Sequence, residues 1–395
     1  MSNTLRKRPA RHDAGCRRRR KPRRALRLLL ALPVAAGALS GAASRAASGA
    51  DVAYRIEVLA RGLHRPTAMA RLPDRRLLVT ERHGRLLLIP PGSVDTPRVL
   101  AGTPPPLRSG AGGYFDIAVD PDFSGNRLLY LSYAAGTRER STTAVFRAEL
   151  RDGKLQNGRT VLRVEPAHRA PHNYGGRLQF LPDQSLLLTT GDGLERREEA
   201  QSLRSELGKV LRVNRDGKAA RHNPYTHADG LRIYTFGHRD PRGITYDAQQ
   251  RQVFIHERGP RGGDELNLLS RRGNYGWPAL THGIDLSGAR ISPFKRMRGM
   301  ADPLWVWEPA IRPSGLAWYH GDGFPGWRGS LLVSGLDARG LHRLRVHRGR
   351  VVDEEWVFPD LPYRLRDVRV FADGVIHLLT DGEQAQLLQV LPRRR

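Results

Sequence analysis

The chain has 395 residues, of which 39% are hydrophobic, so it carries enough apolar side chains for a large core. Its formal net charge is +27, but thirteen Lys and Arg residues and a single acid lie within the first fifty residues, and the other arginines are dispersed along the chain. Dispersed arginine is typical of a solvated surface rather than of a phosphate-tracking stripe, so we predict no nucleic-acid partner. The only cysteine, Cys16, lies in the basic leader, which excludes disulfides and thiol chemistry from a processed chain.

The first element in chain order is a leader over residues 1–50. A positive segment from Arg17 to Arg27 precedes a short apolar run from Leu28 to Ala43, which ends in small residues. This order is typical of a secretory signal, so we expect export to the periplasm or the medium, with residues 51–395 forming the mature domain. The apolar run is short for a bilayer span, so we expect no membrane span in the mature chain; a retained anchor is the alternative. The pair Arg23-Arg24 permits twin-arginine export, and the general secretory route stays open.

After the leader, one local pattern recurs six times: an apolar residue, a turn of Pro, Asp or Gly, and then an apolar run of strand type. The copies are 72–74 before 77–80, 119–122 before 128–131, 181–183 before 186–189, 246–247 before 253–256, 321–323 before 331–333, and 371–374 before 376–379. Their spacing suits a four-stranded unit with variable loops, and no long helical period intervenes. The pattern predicts an all-β chain folded as a six-bladed β-propeller, with a pair of β-sandwiches as the alternative.

Three longer motifs go beyond the blade pattern: YTFGHRDPRG at 234–243, HERGPRGGDELN at 256–267 and GNYGWP at 273–278. Shorter matches lie at 175–178, 207–212, 313–316 and 364–368. In order and spacing the chain resembles the glucose/sorbosone dehydrogenase family, in particular the soluble aldose sugar dehydrogenases that use pyrroloquinoline quinone (PQQ). The resemblance covers nearly everything after about residue 55.

The resemblance implies an oxidoreductase that converts the anomeric hydroxyl of an aldose sugar to a lactone. PQQ would accept the hydride, Ca²⁺ would act as a Lewis acid, and an external electron acceptor would reoxidise the cofactor. A tricarboxylate cofactor suits planar bidentate cations, and a hard cation suits oxygen ligands.

The family's functional positions map onto this sequence residue by residue. The resemblance implies His172 and Arg239 as catalytic residues, and Arg239, Asp240, Arg364 and Arg366 as cofactor-binding residues. It also implies the backbone carbonyls of Gly259 and Pro260 as ligands of the cofactor-bound Ca²⁺. A second, structural Ca²⁺ would map to Glu265 and Tyr275, with Asp285 as a third candidate; a salt-bridged loop and a core aromatic are the alternative reading of these residues.

Five positions depart from the family pattern. Asn173 stands where the family has its histidine base, two residues before Gly175-Gly176, so a bulge would be needed to bring His172 into that place. Asparagine is no general base near neutral pH. The other four departures replace glutamine by Ala111, asparagine by Asp240, glutamine by Arg242 and lysine by Asp337. Asp337 would oppose a polyanionic cofactor unless Arg339 or Arg242 offsets its charge.

These departures leave a second hypothesis open. The chain could be a divergent propeller that has lost quinone chemistry and binds a carbohydrate or a protein through the same face, because fold does not imply function. A metal-dependent propeller lactonase has the right architecture, but no motif of this sequence supports it.

Overall fold

A computed structural model describes the protein over residues 53–92, 94, 97–226, 230–337, 340–359 and 361–393. The predicted leader and Arg339 lie outside the described residues. Within them the chain forms six four-stranded antiparallel sheets and two short helices, α1 (Phe123–Asn126) and a 3₁₀ turn (Arg197–Gln201). No helix in this part of the chain is long and apolar enough to cross a bilayer.

The sheets follow one another along the chain, and in each of them the strands run in order from the innermost outward. The first strand, β1 (Tyr54–Leu63), belongs to the last sheet. Blade 1 consists of β2 (Pro66–Arg71), β3 (Leu77–Glu81), β4 (Arg85–Ile89) and β5 (Arg98–Val99), and blade 2 of β6 (Tyr114–Val119), β7 (Leu128–Gly136), β8 (Ser141–Arg151) and β9 (Lys154–Arg163). Blade 3 consists of β10 (Gly175–Phe180), β11 (Leu186–Thr190), β12 (Lys209–Val213) and β13 (Ile233–Phe236), and blade 4 of β14 (Pro241–Asp247), β15 (Gln252–Glu257), β16 (Asp264–Leu268) and β17 (Trp305–Trp307). Blade 5 consists of β18 (Pro313–Tyr319), β19 (Ser330–Gly335), β20 (Leu341–His347) and β21 (Arg350–Val357), and blade 6 of β22 (Leu365–Val370), β23 (Ile376–Thr380), β24 (Ala385–Pro392) and β1.

The predicted six-bladed propeller is confirmed, and each of the six sequence repeats is the hairpin between the innermost and second strands of one blade. In five of these hairpins the turn aspartate accepts a hydrogen bond from the backbone N–H two residues later, at 2.9–3.1 Å. These aspartates are Asp74, Asp120, Asp183, Asp247 and Asp373. A carboxylate that closes its own turn in this way explains why aspartate recurs in the repeat.

The apolar core is divided among the six junctions between neighbouring blades. Leu78 of β3 and Leu131 of β7, for example, lie in the cluster between blades 1 and 2. The strand β1 pairs with β24, so the beginning and the end of the chain together complete blade 6. Closure of this kind leaves only short protected sheet edges.

The innermost strands β2, β6, β10, β14, β18 and β22 contact one another in a ring around the propeller axis. A buried ion network fills the space between them. Arg177 of β10 lies 3.2 Å from Asp367 of β22 and 3.8 Å from Asp116 of β6. Arg369 of β22 contacts the same two carboxylates, Asp116 at 2.6 Å and Asp367 at 3.1 Å. Burial raises the pKa of Asp116 above its usual range, although Arg369 and Arg177 oppose the rise.

The network extends to the backbone of the remaining blades. Arg177 also donates to the carbonyls of Arg242 in β14 and Ser314 in β18. Asp367 accepts a hydrogen bond from Met69 N of β2 at 3.3 Å. Side chains of blades 2, 3 and 6 therefore connect all six blades around the axis.

We expect Arg177→Met to lower the free energy of unfolding by about 3–5 kcal/mol, because it removes one of the two cations that face the buried carboxylates and leaves the carbonyls of Arg242 and Ser314 without their donor. Urea denaturation followed by circular dichroism measures this change. Arg328→Met is the matched control: Arg328 pairs with Asp322 on the exposed surface, and its loss should cost less than about 1 kcal/mol. Equal effects of the two substitutions would show that the axial network does not stabilise the ring.

Candidate functional site

A register shift near the start of every innermost strand supplies the floor of one cavity. Each shift places an extra residue opposite the second strand, and in β10 it covers Gly176 and Arg177. The shifted residues that line the cavity are Thr67, Phe115, Arg177, Arg242, Ser314 and Arg366. Because a bulge turns a side chain away from the alternation of its strand, all six blades contribute one side chain to the same well.

The loops that follow the second strands supply the walls. These loops lie at the same end of the propeller as the starts of the innermost strands, because the two strands are antiparallel. Arg82 follows β3, Arg258 follows β15, Leu336 follows β19 and Asp381 follows β23, and all four line the cavity. The cavity has a volume of about 440 Å³.

A second cavity of about 430 Å³ lies beside the first and shares Ala111, Arg242, Arg258 and Arg312 with it. Five of the residues predicted to be catalytic, to bind the cofactor or to ligate its Ca²⁺ line this second cavity: His172, Arg239, Asp240, Gly259 and Pro260. Of the other predicted cofactor-binding residues, Arg366 lines the first cavity and Arg364 lines neither.

The first cavity is strongly cationic. Seven arginines line it (Arg65, Arg82, Arg177, Arg242, Arg258, Arg312 and Arg366), against the acids Asp381 and Glu383. Burial, followed by repulsion from Arg242, lowers the pKa of Arg258 to about 9. Burial, followed by repulsion from Arg366, Arg242 and Arg65, lowers the pKa of Arg82. Guanidinium groups that repel one another in a concave site favour an anionic ligand.

Arg239 is held by the Glu257 side chain at the end of β15 and by backbone carbonyls of the loop after it. Its N–H donates to Glu257 Oε2 at 2.6 Å, and its Nη1 donates to the carbonyls of Arg258 and Gly259 at 3.0 Å. Its guanidinium also lies over the Trp277 ring. A Cβ at Gly259 would lie 1.9 Å from the Gly262 carbonyl oxygen, so only glycine fits this turn.

Asp240 and Asp264 are buried carboxylates with different surroundings. Asp240 Oδ2 accepts a hydrogen bond from Arg242 at 2.9 Å, whereas its Oδ1 is buried and has no partner among the described residues. Asp264 accepts three backbone hydrogen bonds, from Gly259, Ile311 and Arg312, and so ties two loops of the second cavity together. Burial raises the pKa of Asp264.

His172 and Asn173 both line the second cavity, but only Asn173 is anchored. Asn173 is buried, has a φ of 48°, and donates from Nδ2 to Asp192 Oδ1 at 2.9 Å. Asp192 Oδ2 accepts from Trp277 Nε1 at 2.8 Å. Burial raises the pKa of Asp192, although Arg239 opposes the rise. His172 is exposed, and its ring makes no hydrogen bond with the described residues.

Arg364 and Arg366 both contact Asp381, but in different ways. Arg366 donates to Asp381 Oδ1 from two nitrogens, at 3.0 Å and 2.6 Å, and 26% of its side chain is exposed. Arg364 lies 3.6 Å from Asp381 Oδ2 with half of its side chain exposed. The structure thus brings one member of the predicted pair to the cavity and leaves the other at the surface.

The residues predicted for a second Ca²⁺ are engaged within the protein. Glu265 accepts from Asn267 Nδ2 at 2.9 Å, and burial together with repulsion from Glu257 raises its pKa to about 8. Tyr275 donates its hydroxyl to Leu268 O, and Asp285 lies on the surface near Arg197. Among the described residues no group of three or more His, Cys, Asp and Glu side chains is arranged to hold a metal. The second Ca²⁺ site stays a prediction.

The charge of Asp337 is offset by a residue that the sequence did not indicate. Arg312 donates from Nη1 to Asp337 Oδ1 at 2.9 Å, whereas Arg242 pairs with Asp240. Of the two arginines considered for this role in the sequence analysis, Arg242 pairs with Asp240, two residues before it, and Arg339 lies outside the described residues.

Sequence reasoning also missed Arg82, Arg177, Arg258, Arg312 and Asp192. Two of them stand inside quoted motifs, since Arg177 follows Gly175-Gly176 and Arg258 precedes Gly259. A polar residue within two positions after a second strand is the shared signal that identifies Arg82, Arg258 and Asp192, since each lies at the cavity end of its blade.

Comparison with known proteins agrees with this geometry. The family model described as Glucose / Sorbosone dehydrogenase matches residues 63–389. The chain is 34% identical over 353 residues to the aldose sugar dehydrogenase YliI of Escherichia coli K12, which covers 87% of this chain and 94% of that protein.

Solved structures show the same similarity. The apo form of the soluble aldose sugar dehydrogenase from E. coli superposes with a TM-score of 0.81 at 33% identity, over 86% of this chain and all of that chain. The PQQ-bound form of an aldose sugar dehydrogenase from Streptomyces coelicolor superposes with a TM-score of 0.71 at 25% identity, over 86% of this chain and 99% of that chain.

We expect Asn173→Ala to destabilise the protein by about 2–4 kcal/mol, because it strains a left-handed residue and removes a donor from the buried Asp192. Asn157 is the matched control, since it has a φ of 52° and donates to the partly exposed Glu149. Asn157→Ala should cost only about 1 kcal/mol. Chemical denaturation compares the two, and equal losses would mean that the contact with Asp192 contributes nothing.

Proposed function

The chain belongs to the glucose/sorbosone dehydrogenase family, and we propose that it is an oxidoreductase that oxidises the anomeric hydroxyl of aldose sugars to lactones with PQQ as the electron acceptor. The observation that carries the proposal is the arginine-lined well at the centre of the propeller, which has the shape and the charge for a tricarboxylate. A small sugar is the proposed substrate, and an external acceptor would take up the electrons.

The residues present fit PQQ. Arg82 and Arg258 line the first cavity and have no carboxylate partner among the described residues, and Arg239 lines the second in the same condition. Arg258 donates from Nε to the Pro313 carbonyl and lines both cavities, and its terminal nitrogens make no hydrogen bond with the described residues. We propose that Arg239, Arg242, Arg258 and Arg366 would hold the cofactor carboxylates.

The residues also fit one Ca²⁺ beside the cofactor. The buried Asp240 Oδ1 lacks a hydrogen-bond partner among the described residues, and an unpaired buried carboxylate oxygen is costly unless a donor or a cation meets it. Gly259 and Pro260 line the same cavity, and backbone carbonyl oxygens suit a hard cation. The Gly259 carbonyl accepts a hydrogen bond from Arg239, but a carbonyl oxygen has a second lone pair for the ion. We propose Asp240, Gly259 and Pro260 as its protein ligands.

Bound PQQ would supply a two-electron oxidant, and Ca²⁺ would supply Lewis acidity. The protein must supply the base that takes the proton of the anomeric hydroxyl, and His172 is the imidazole that lines the second cavity. Its ring is free of hydrogen bonds within the described residues, so it is available to accept a proton. Arg239, held by the carbonyls of Arg258 and Gly259, would orient the substrate oxygen.

One observation favours a second candidate function. The family's base position is occupied by Asn173, whose amide is bound to Asp192 and cannot accept a proton. A propeller that binds a carbohydrate or a protein through the same well, without oxidising it, would keep this geometry.

We further propose that residues 1–50 direct export and are removed, so that the enzyme works in the periplasm or outside the cell. The order of the basic segment, the apolar run and the small residues supports this proposal. N-terminal sequencing of the secreted protein would test it.

We expect the mature chain to bind PQQ tightly and in a Ca²⁺-dependent manner in calorimetric titration. Arg366→Gln should weaken PQQ binding by about tenfold or more, because it removes a partly buried cation from the cavity and leaves Asp381 with only its longer contact to Arg364. Arg364→Gln removes the same charge two residues away, outside the cavities, and should weaken binding by less than about threefold.

Equal effects of Arg364→Gln and Arg366→Gln would contradict the assignment of the well as the cofactor site. Absence of PQQ binding by the unmodified chain, with and without Ca²⁺, would favour the second candidate function.

We expect His172→Ala to lower kcat for aldose oxidation by about a hundredfold or more while PQQ affinity stays within about twofold, because it removes the base without changing the cationic wall. Dye reduction by the PQQ-loaded enzyme and calorimetry measure the two quantities. His347→Ala, an exposed histidine at the end of β20, is the control and should change neither.

A double variant tests the position of the base. Combining His172→Ala with Asn173→His places an imidazole where Asp192 can orient it, so turnover should return in part. If His172→Ala alone leaves kcat unchanged, His172 takes no part in the mechanism.

A further inference from the structure

The two cavities together hold more cationic side chains than the acids around them neutralise. Nine arginines and five acids line them. Four of the arginines pair with lining acids: Arg65 with Glu383, Arg242 with Asp240, Arg312 with Asp337 and Arg366 with Asp381. The fifth acid, Asp264, is occupied by backbone N–H groups.

Arg177 belongs to the axial network with Asp367 and Asp116. The arginines that remain without a carboxylate partner among the described residues are Arg82, Arg239, Arg258 and Arg261. A cofactor with three carboxylates would neutralise about three of these charges, and a Ca²⁺ ion would add two positive charges to the well. The occupied site would therefore stay positive.

Arg82 is the surplus cation that lies farthest in the fold from the proposed Ca²⁺ ligands. It follows β3 in blade 1, whereas Gly259 and Pro260 belong to blade 4, and it lines the first cavity but not the second. Its Nε donates to Gly112 O at 3.0 Å and its Nη2 donates to Gly110 O, so two backbone carbonyls hold the guanidinium in place. Burial and repulsion from Arg366, Arg242 and Arg65 lower its pKa, which shows how concentrated the positive charge is.

The neutral polar side chains of the first cavity are already engaged. Thr67 contacts Thr80, Tyr114 donates to Pro104 O, and Ser314 contacts Ser334 and Leu365 O. In the second cavity Asn173 is bound to Asp192. A neutral sugar presents hydroxyl groups that need both donors and acceptors. Apart from the His172 ring and Asp240 Oδ1, to which the proposed function gives a proton and a Ca²⁺ ion, the polar side chains of these cavities left without a partner among the described residues are guanidinium donors.

We propose that the substrate is an anionic aldose, one that carries a carboxylate or a phosphate group, and that Arg82 binds this anion at the blade 1 side of the first cavity. The proposal rests on the proposed function and adds to it the chemical class of the sugar. Guanidinium groups bind carboxylate and phosphate oxygens through paired, charge-assisted hydrogen bonds, so both substituents present the same chemistry to Arg82.

The test compares three aldoses on the PQQ- and Ca²⁺-loaded enzyme at equal ionic strength: glucose, glucuronic acid and glucose 6-phosphate. We expect at least one of the two anionic sugars to exceed glucose in kcat/KM by about tenfold, and this advantage to shrink as salt is added. The carboxylate and phosphate arms distinguish the two sources of the anion. If glucose is oxidised as well as both anionic sugars, the inference is overturned while the proposed function stands.

Two variants assign the effect to Arg82. Arg82→Gln should reduce the ratio of anionic to neutral kcat/KM about tenfold, because it removes one full charge at the proposed contact. Arg75→Gln is the matched control, since Arg75 lies in the exposed hairpin turn of the same blade at the opposite end, and it should leave the ratio unchanged. An unchanged ratio in Arg82→Gln would overturn the assignment.

Arg82 also holds the loop at Gly110 and Gly112, so Arg82→Gln could lower activity by disturbing the fold. A second variant that is expected to raise the ratio of anionic to neutral kcat/KM avoids this ambiguity. Glu383→Gln removes the acid that pairs with Arg65 at the rim, and it should raise the ratio by about threefold. A fall in the ratio on Glu383→Gln would contradict the inference. The unfolding temperature of Arg82→Gln is measured before its kinetics are compared with those of the unmodified chain.

Binding without turnover separates this inference from the proposed function. Calorimetry titrates each of the three sugars into the loaded protein, or into the bare protein if it takes up no PQQ. Tighter binding of an anionic sugar without any oxidation would reject the proposed reaction and keep the anion subsite. Binding of the anionic sugars no tighter than that of glucose would overturn the subsite.

Discussion

The ion network on the propeller axis is the interaction on which the rest of the structure depends. A closed ring of six sheets has no single core, because its apolar clusters lie between neighbouring blades. Arg177 and Arg369, with the carboxylates of Asp116 and Asp367, supply the contacts that cross the centre. Charges buried this deeply are costly unless each is met, and in this network the carboxylates also accept backbone N–H groups from neighbouring blades.

The same network forms the lower boundary of the candidate site. Arg177 belongs both to the axial network and to the floor of the first cavity, so the geometry of the site is coupled to the closure of the ring. The bulge at the start of each innermost strand then turns one side chain per blade into the well. A site built in this way draws its residues from distant parts of the chain while each of them rests on a rigid strand.

The electrostatics of the well explain how the departures from the family pattern are accommodated. Asp240 and Arg242 pair with each other, so the two departures that the resemblance implies at these positions add no net charge to the well. Asp337 is met by Arg312 in the same way. The positive charge of the well therefore comes from the arginines that have no carboxylate partner among the described residues, above all Arg82 and Arg258.

The sequence by itself determined the fold, because the hairpin is a local feature that repeats six times, five times with a turn-closing aspartate, and needs no knowledge of distant contacts. The motifs also predicted the family, and they placed Arg239, Asp240, Gly259 and Pro260 in one site. Only the tertiary structure separated Arg366 from Arg364, paired Arg312 with Asp337 and joined Asn173 to Asp192, since these depend on bulges and on contacts between side chains 15 to 25 residues apart. Strand alternation predicts which face a side chain takes, but a register shift of one residue reverses that face, and such a shift occurs near the start of all six innermost strands.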